Sequence, residues 1–249
     1  MNVTPLKVGD DTFQEQRIDM AAAFRWTARL NMHESIANHF SLAVSDDGSK
    51  FLLNPYGRHF SRMRASDLVL VDANDPETGK RDDIDPTAWA IHGAMHRNQP
   101  GARCIMHVHS KYATALSTLK DASMPPIDQN TARFYGRLAI DTGFDGMGLG
   151  NEAERLTTTL GNSNVLVMGN HGVACFGETP ARVFEDLYYF ERAAETLITA
   201  YSTGRELNVL SHEVASKTAQ QWADYVGSSD RHFAALKEIL DEEEPDYRN

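Results

Sequence analysis

The stretch Cys104-Ile105-Met106-His107-Val108-His109-Ser110 sets the frame for the whole chain. Its apolar run reads as a buried strand, and the side chains of a strand alternate between two faces. His107 and His109 therefore share a face with Ile105, while Cys104, Met106 and Val108 take the other. Two imidazoles then project together, about 7 Å apart along the strand at Cα, and converging side chains can close that gap on a metal ion.

Working outward toward the N-terminus, Asp85 as N-cap and Pro86 at the first helical position predict a helix through about Arg97. Asp67–Asp72 reads as a strand, with a polar loop from Asp72 to Arg81. Phe40–Val44 and Phe51–Asn54 read as a hairpin around Asp46-Asp47-Gly48. Apolar residues at helical spacing predict an opening helix from about Thr12 to Met32, capped by Asp10, Asp11 or Thr12.

Toward the C-terminus, a helix is expected around Lys111–Leu119, then a loop at Pro125-Pro126. The glycine-rich Thr142–Gly150 precedes a helix around Asn151–Leu160. Val165–Met168 and Val173–Phe176 read as strands flanking Gly169-Asn170-His171-Gly172. Thr179 as N-cap, followed by Pro180, starts a long helix to about Ser202 that stops at Gly204. Helices and strands intermix with no repeat or linker. The expectation is a single three-layer α/β/α domain over residues 1–249, with a central β-sheet. Its core spans 10–204, and 205–249 is a helical extension ending in an acidic, frayed tail at Asp241–Asn249.

Acidic residues outnumber basic ones 35 to 24, for a formal charge of -11. Such a balance repels phosphate backbones and anionic membranes, which argues against nucleic acid or membrane partners. No basic leader and no membrane-length apolar run is legible, so a cytoplasmic protein is expected. The two cysteines, Cys104 and Cys175, sit in strand-like runs and read as core thiols.

His171 is the candidate third ligand, in a turn where Gly169 and Gly172 allow a sharp bend. The competing reading is a solvent-exposed turn histidine. Three imidazoles with an open position suit Zn²⁺, although nitrogen ligands also admit Mn²⁺, Fe²⁺ or Co²⁺. His92 and His96 lie four apart on one helix face but lack the glutamate of a metalloprotease motif. His92 reads as a packing or supporting residue and His96 as a surface one; His33 and His39 flank a loop that periodicity does not place.

Several segments together resemble the class II aldolase/adducin family, in order and spacing from about Phe13 to Tyr201. They are Ala37-Asn38-His39-Phe40-Ser41, Phe51-Leu52-Leu53-Asn54-Pro55-Tyr56-Gly57, Ala65-Ser66-Asp67-Leu68-Val69-Leu70-Val71-Asp72, Met106-His107-Val108-His109-Ser110 and Gly169-Asn170-His171-Gly172-Val173. The resemblance implies that His107, His109 and His171 bind a catalytic divalent ion, zinc or manganese. It also implies a sheet layered between helices, and a homotetramer with active sites between subunits. One departure is clear: the glutamate that sugar-phosphate aldolases of the family place four residues before the equivalent of His92 is Ala88 here.

The expected activity is a metal-dependent carbon–carbon lyase, of decarboxylase or aldolase type, stabilising an enolate from a small, carboxylated, non-phosphorylated substrate. Decarboxylation is attractive because loss of CO₂ needs no base to start it. Candidates for proton transfer are Tyr135, Glu34 and His39. Substrate-binding candidates are Arg133, whose planar fork suits a carboxylate, with Tyr56 and Ser110. The alternatives are a non-catalytic adducin-like interaction module and a hydrolase using metal-bound hydroxide.

Overall fold

The computed structural model describes residues 12–99, 101–146 and 152–249. Along these the elements are α1 (Gln14–Arg29), β1 (His39–Ala43), β2 (Lys50–Leu53), β3 (Val69–Asp72), α2 (Pro86–Asn98), β4 (Cys104–Val108), α3 (Lys111–Ser117), α4 (Gln129–Arg133), β5 (Leu138–Asp141), α5 (Glu152–Leu160), β6 (Val165–Met168), β7 (Gly172–Gly177), α6 (Pro180–Ser202), α7 (His212–Asp224) and α8 (Ser228–Glu243). The strands form one sheet in the order β3-β2-β1-β4-β7-β6-β5. Every pairing among the described residues is antiparallel except β5 with β6.

Strand alternation divides the interior into two layers. Cys104, Met106 and Val108 of β4 join Phe40, Leu42, Val165, Val167, Val173 and Cys175 in a core shared with α1, α3 and α6. Ile105 turns the other way, with Leu166, Met168, Ala174 and Phe176, against Ile91 and Met95 of α2 and Leu156 and Leu160 of α5. His107 lies two residues from Ile105 on a buried strand and so faces the α2/α5 side. The layered α/β expectation holds, and both thiols are buried and free, their ionisation pushed up by desolvation.

The caps that are written locally form as expected. Asp85 accepts from the Thr87 and Ala88 amides, and the Thr179 side chain accepts from the Arg182 amide. Helix α1 differs, because its N-cap is Phe13 in a left-handed conformation with no side-chain cap. Asp10 and Asp11 lie outside the described residues, as do residues 147–150 of the glycine-rich stretch and Asn151.

The acidic end is docked rather than frayed. Arg25 of α1 pairs with Glu244 at 2.6 Å and Asp246 at 2.9 Å, so the negative run meets a buried counter-charge. Tyr247 is fully buried and donates its hydroxyl to Asp241 at 2.8 Å. His96, expected at the surface, is buried beside the Phe51 ring, because α2 turns that face onto β1 and β2.

Candidate metal centre

Strand β4 carries His107 and delivers His109 just beyond its end. The Nδ1 of His107 lies 3.0 Å from the Val173 carbonyl oxygen, a pure acceptor, so that nitrogen donates and the lone pair sits on Nε2. His109 is fixed in the same way: its Nδ1 donates to the Glu34 carboxylate at 2.7 Å, and Nε2 keeps the lone pair. The two Nε2 atoms are 3.0 Å apart. In the neutral rings neither nitrogen has a proton to offer the other, and a cation between them, a metal ion or a proton, relieves the contact.

The third ring comes from the turn between β6 and β7. The residue that takes the left-handed conformation is Asn170, at φ 57°, rather than a glycine. Its amide donates to the Ser117 carbonyl at 2.9 Å, and the His171 amide donates to Met168 at 3.0 Å. Gly172 serves close approach instead, since a Cβ there would collide with the Val108 carbonyl oxygen and lie 3.2 Å from the His109 ring. His171 is thus held over β4, with ring centroids 4.8 Å from His107 and 4.6 Å from His109.

One nitrogen from each of the three histidines falls within 4.8 Å of the others. Nitrogens bound to tetrahedral zinc at about 2.0–2.1 Å stand about 3.3 Å apart, so on binding the His107–His109 pair would open slightly and the wider separations would close. Among the described residues the buried Nδ1 of His171 has no hydrogen-bond partner, another mark of a ring awaiting a ligand. Burial holds His107 well below the ordinary imidazole range and lowers His171 to about 4, so both are neutral near pH 7, the form that ligates metals.

A cavity of about 480 Å³ opens onto this cluster. Its polar lining includes Glu34, His39, Tyr56, Asp85, Thr87 and Asn170, and Ile91, Met95, Ile105, Leu156, Met168 and Phe176 form an apolar wall. Phe144 stands at the rim, half exposed, with its ring 6.2 Å from that of His171. Lysine and arginine are absent from the described lining residues. His39 pairs in register with His107, and its Nδ1 lies 2.7 Å from Nε2 of His92. Ser41 links His92 to His96, and His96 reaches the Ala102 carbonyl at 2.7 Å. Desolvation lowers His39 and His96 to about 4.

Of the residues singled out from sequence, the structure brings His107, His109, His171, Glu34, His39 and Tyr56 to the cavity. Three others it does not bring there. Arg133 is buried on the opposite side of the sheet, paired with Glu185 at 2.8 Å and Asp186 at 2.9 Å between the Tyr189 and Trp222 rings. Its charge is spent on two internal carboxylates and is not offered to a substrate. Tyr135 contacts Nδ1 of His212 at 2.9 Å, and Ser110 donates to the buried Glu191 at 2.6 Å beside the first turn of α3. Ala88 packs among Ala43, Phe51, Leu53, Val71 and Ile84, so no side chain at that position points at the cluster.

Sequence reasoning missed Asp85 as a cavity residue because its cap role already accounts for it: Asp85 accepts from the Thr87 hydroxyl at 2.6 Å. It also missed Asn170, for which a left-handed turn residue beside His171 was the available signal.

Comparison with known proteins identifies the family. Residues 18–198 match the family model of the class II aldolase and adducin N-terminal domain. The structure of an aldolase II superfamily protein from Pseudomonas syringae superposes with a TM-score of 0.86 at 32% identity, covering 100% of this chain and 98% of that one. A Caulobacter vibrioides protein carrying a provisional aldolase class 2 name is 32% identical, over 84% of this chain and 81% of its own length. The decarboxylase NovR of Streptomyces niveus is 28% identical over 68% of this chain and 65% of its own. The chain belongs to the class II aldolase and adducin N-terminal domain family.

Proposed function

We propose that this protein is a metal-dependent carbon–carbon lyase, of aldolase or decarboxylase type, acting on a small, carboxylated, non-phosphorylated substrate. The observation that carries the reading is the convergence of the His107 and His109 Nε2 atoms, 3.0 Å apart, with the His171 ring beside them. An abandoned site has no physical need to hold three converging imidazoles, which weighs against a purely non-catalytic adducin-like module.

His107, His109 and His171 would hold one divalent ion, zinc or manganese. When bound, it supplies a Lewis acid that polarises a substrate oxygen. The chain's own residues do the rest. Val173 and Glu34 hold two ligand rings in the ligating tautomer. The apolar wall of Ile91, Met95, Ile105, Leu156, Met168 and Phe176 excludes water behind the cluster and fits a substrate with an apolar arm. With no lysine or arginine among the described lining residues, a phosphate away from the ion would lack a counter-charge, which supports a non-phosphorylated substrate whose single carboxylate the ion itself would take. His39 and Glu34 are the groups positioned to hold or move a proton, and Tyr56 stands exposed at the mouth.

The similarity to a decarboxylase-named relative supports the lyase class, and the missing carboxylate at Ala88 separates this chain from the sugar-phosphate aldolases. The test is turnover of a panel of β-hydroxy and β-keto acids in ¹⁸O- and deuterium-labelled water. Cleavage places deuterium on a product carbon; ¹⁸O entering a product carboxylate instead would assign the site to hydrolysis.

A further inference from the structure

A chain of hydrogen bonds runs from the cavity into the protein along one face of β1 and α2. Its inner end is unambiguous, because the Ala102 carbonyl oxygen can only accept. His96 Nδ1, 2.7 Å from it, therefore donates. The neutral ring then has its lone pair at Nε2, which lies 2.7 Å from Ser41 Oγ and takes the hydroxyl hydrogen. Ser41 has no second hydrogen, so toward His92 it accepts, and His92 Nδ1 donates to it. That leaves the lone pair of His92 on Nε2, 2.7 Å from His39 Nδ1, which must be the donor. Each step allows one direction only.

We propose that this chain fixes His39 in a single tautomer, with hydrogen on Nδ1 and the lone pair on Nε2 presented to the cavity. Ser41, His92 and His96 are then positioning residues for an acceptor beside the metal cluster. Among the described residues no protein group bonds His39 Nε2, and the His39 ring centroid lies 4.9 Å from that of His107. Burial supports the direction of the chain by disfavouring a second proton on His92 or His96. A ligand atom facing Nε2 is therefore a hydrogen-bond donor, a hydroxyl and not a second carboxylate. His39 thus supplies, from β1, the acceptor that Ala88 cannot supply from α2.

The use of that acceptor rests on the lyase reading above, but the tautomer does not, and it can be read without a substrate. Two-bond ¹⁵N–¹H correlation spectra of the full chain, recorded with and without added Zn²⁺, report which nitrogen of each ring is protonated. The expected result in both samples is His39 with a protonated Nδ1 and a bare Nε2, and His92 and His96 likewise protonated at Nδ1. Ser41→Ala is expected to leave His39 in mixed tautomers, and Ser41→Thr, which keeps the hydroxyl, to restore the single form. A proton on Nε2 of His39 in the unsubstituted chain overturns the proposal, and so does a single unchanged tautomer in Ser41→Ala. If Ser41→Ala does not fold, the unsubstituted spectrum alone decides. Failure of the lyase assay leaves this result standing, and a wrong tautomer leaves the metal site standing.

Discussion

Glu34 shows how one exposed residue can govern a buried site. Its side chain is 63% solvent-accessible, yet its carboxylate fixes the tautomer of His109 from the loop between α1 and β1. Such supporting groups typically contribute 10–100-fold to metal affinity. Glu34→Gln is expected to weaken metal binding by about that factor in competition with a chromophoric chelator, with unchanged circular dichroism. Wild-type affinity in that variant would remove Glu34 from the account. The paired imidazoles were legible in the sequence, because a period of two puts His107 and His109 on one face whatever surrounds the strand. Arg133 was not. An arginine reads the same whether its partner is a substrate or a buried acid, and its partners Glu185 and Asp186 lie more than 50 residues away on α6.

Elements with strong local signals match their predicted extents closely. Helices α2 and α6 begin at Pro86 and Pro180 behind Asp85 and Thr179, where cap and proline mark the start independently of tertiary context. The short β5 and α4 escaped notice. Strand β5 has four residues and is defined by parallel pairing with β6, and α4 by a capping box between Asp128 and Thr131 that spans little more than a turn. The turn between β6 and β7 is the element on which the site depends most. In Gly172→Ala the new Cβ must push Val108 or His109 aside, which is expected to cost about 1–3 kcal/mol in urea unfolding. It should also weaken metal binding by moving His171 relative to β4. Unaltered stability and affinity together would mean that the close approach of these strands is not what places the third ring.

At the scale of the whole molecule, the sheet separates two kinds of buried polarity. On the α2/α5 side, imidazoles converge on a cavity; on the α6 side, Arg133, Arg137, Glu185 and Asp186 form an internal ion network. Removing one member of such a network strands the others. Arg133→Ala is expected to cost about 3–5 kcal/mol of stability while leaving metal content per folded chain unchanged. Loss of metal at full stability would instead tie Arg133 to the site.

The central claim, that His107, His109 and His171 together hold one divalent ion, is tested most directly by elemental analysis of the full chain purified without chelator, beside His109→Ala. The prediction is about one zinc or manganese per chain, lost in the variant with its circular dichroism preserved. Fewer than about one ion per ten chains in the unsubstituted protein, or unchanged metal in His109→Ala, would contradict it.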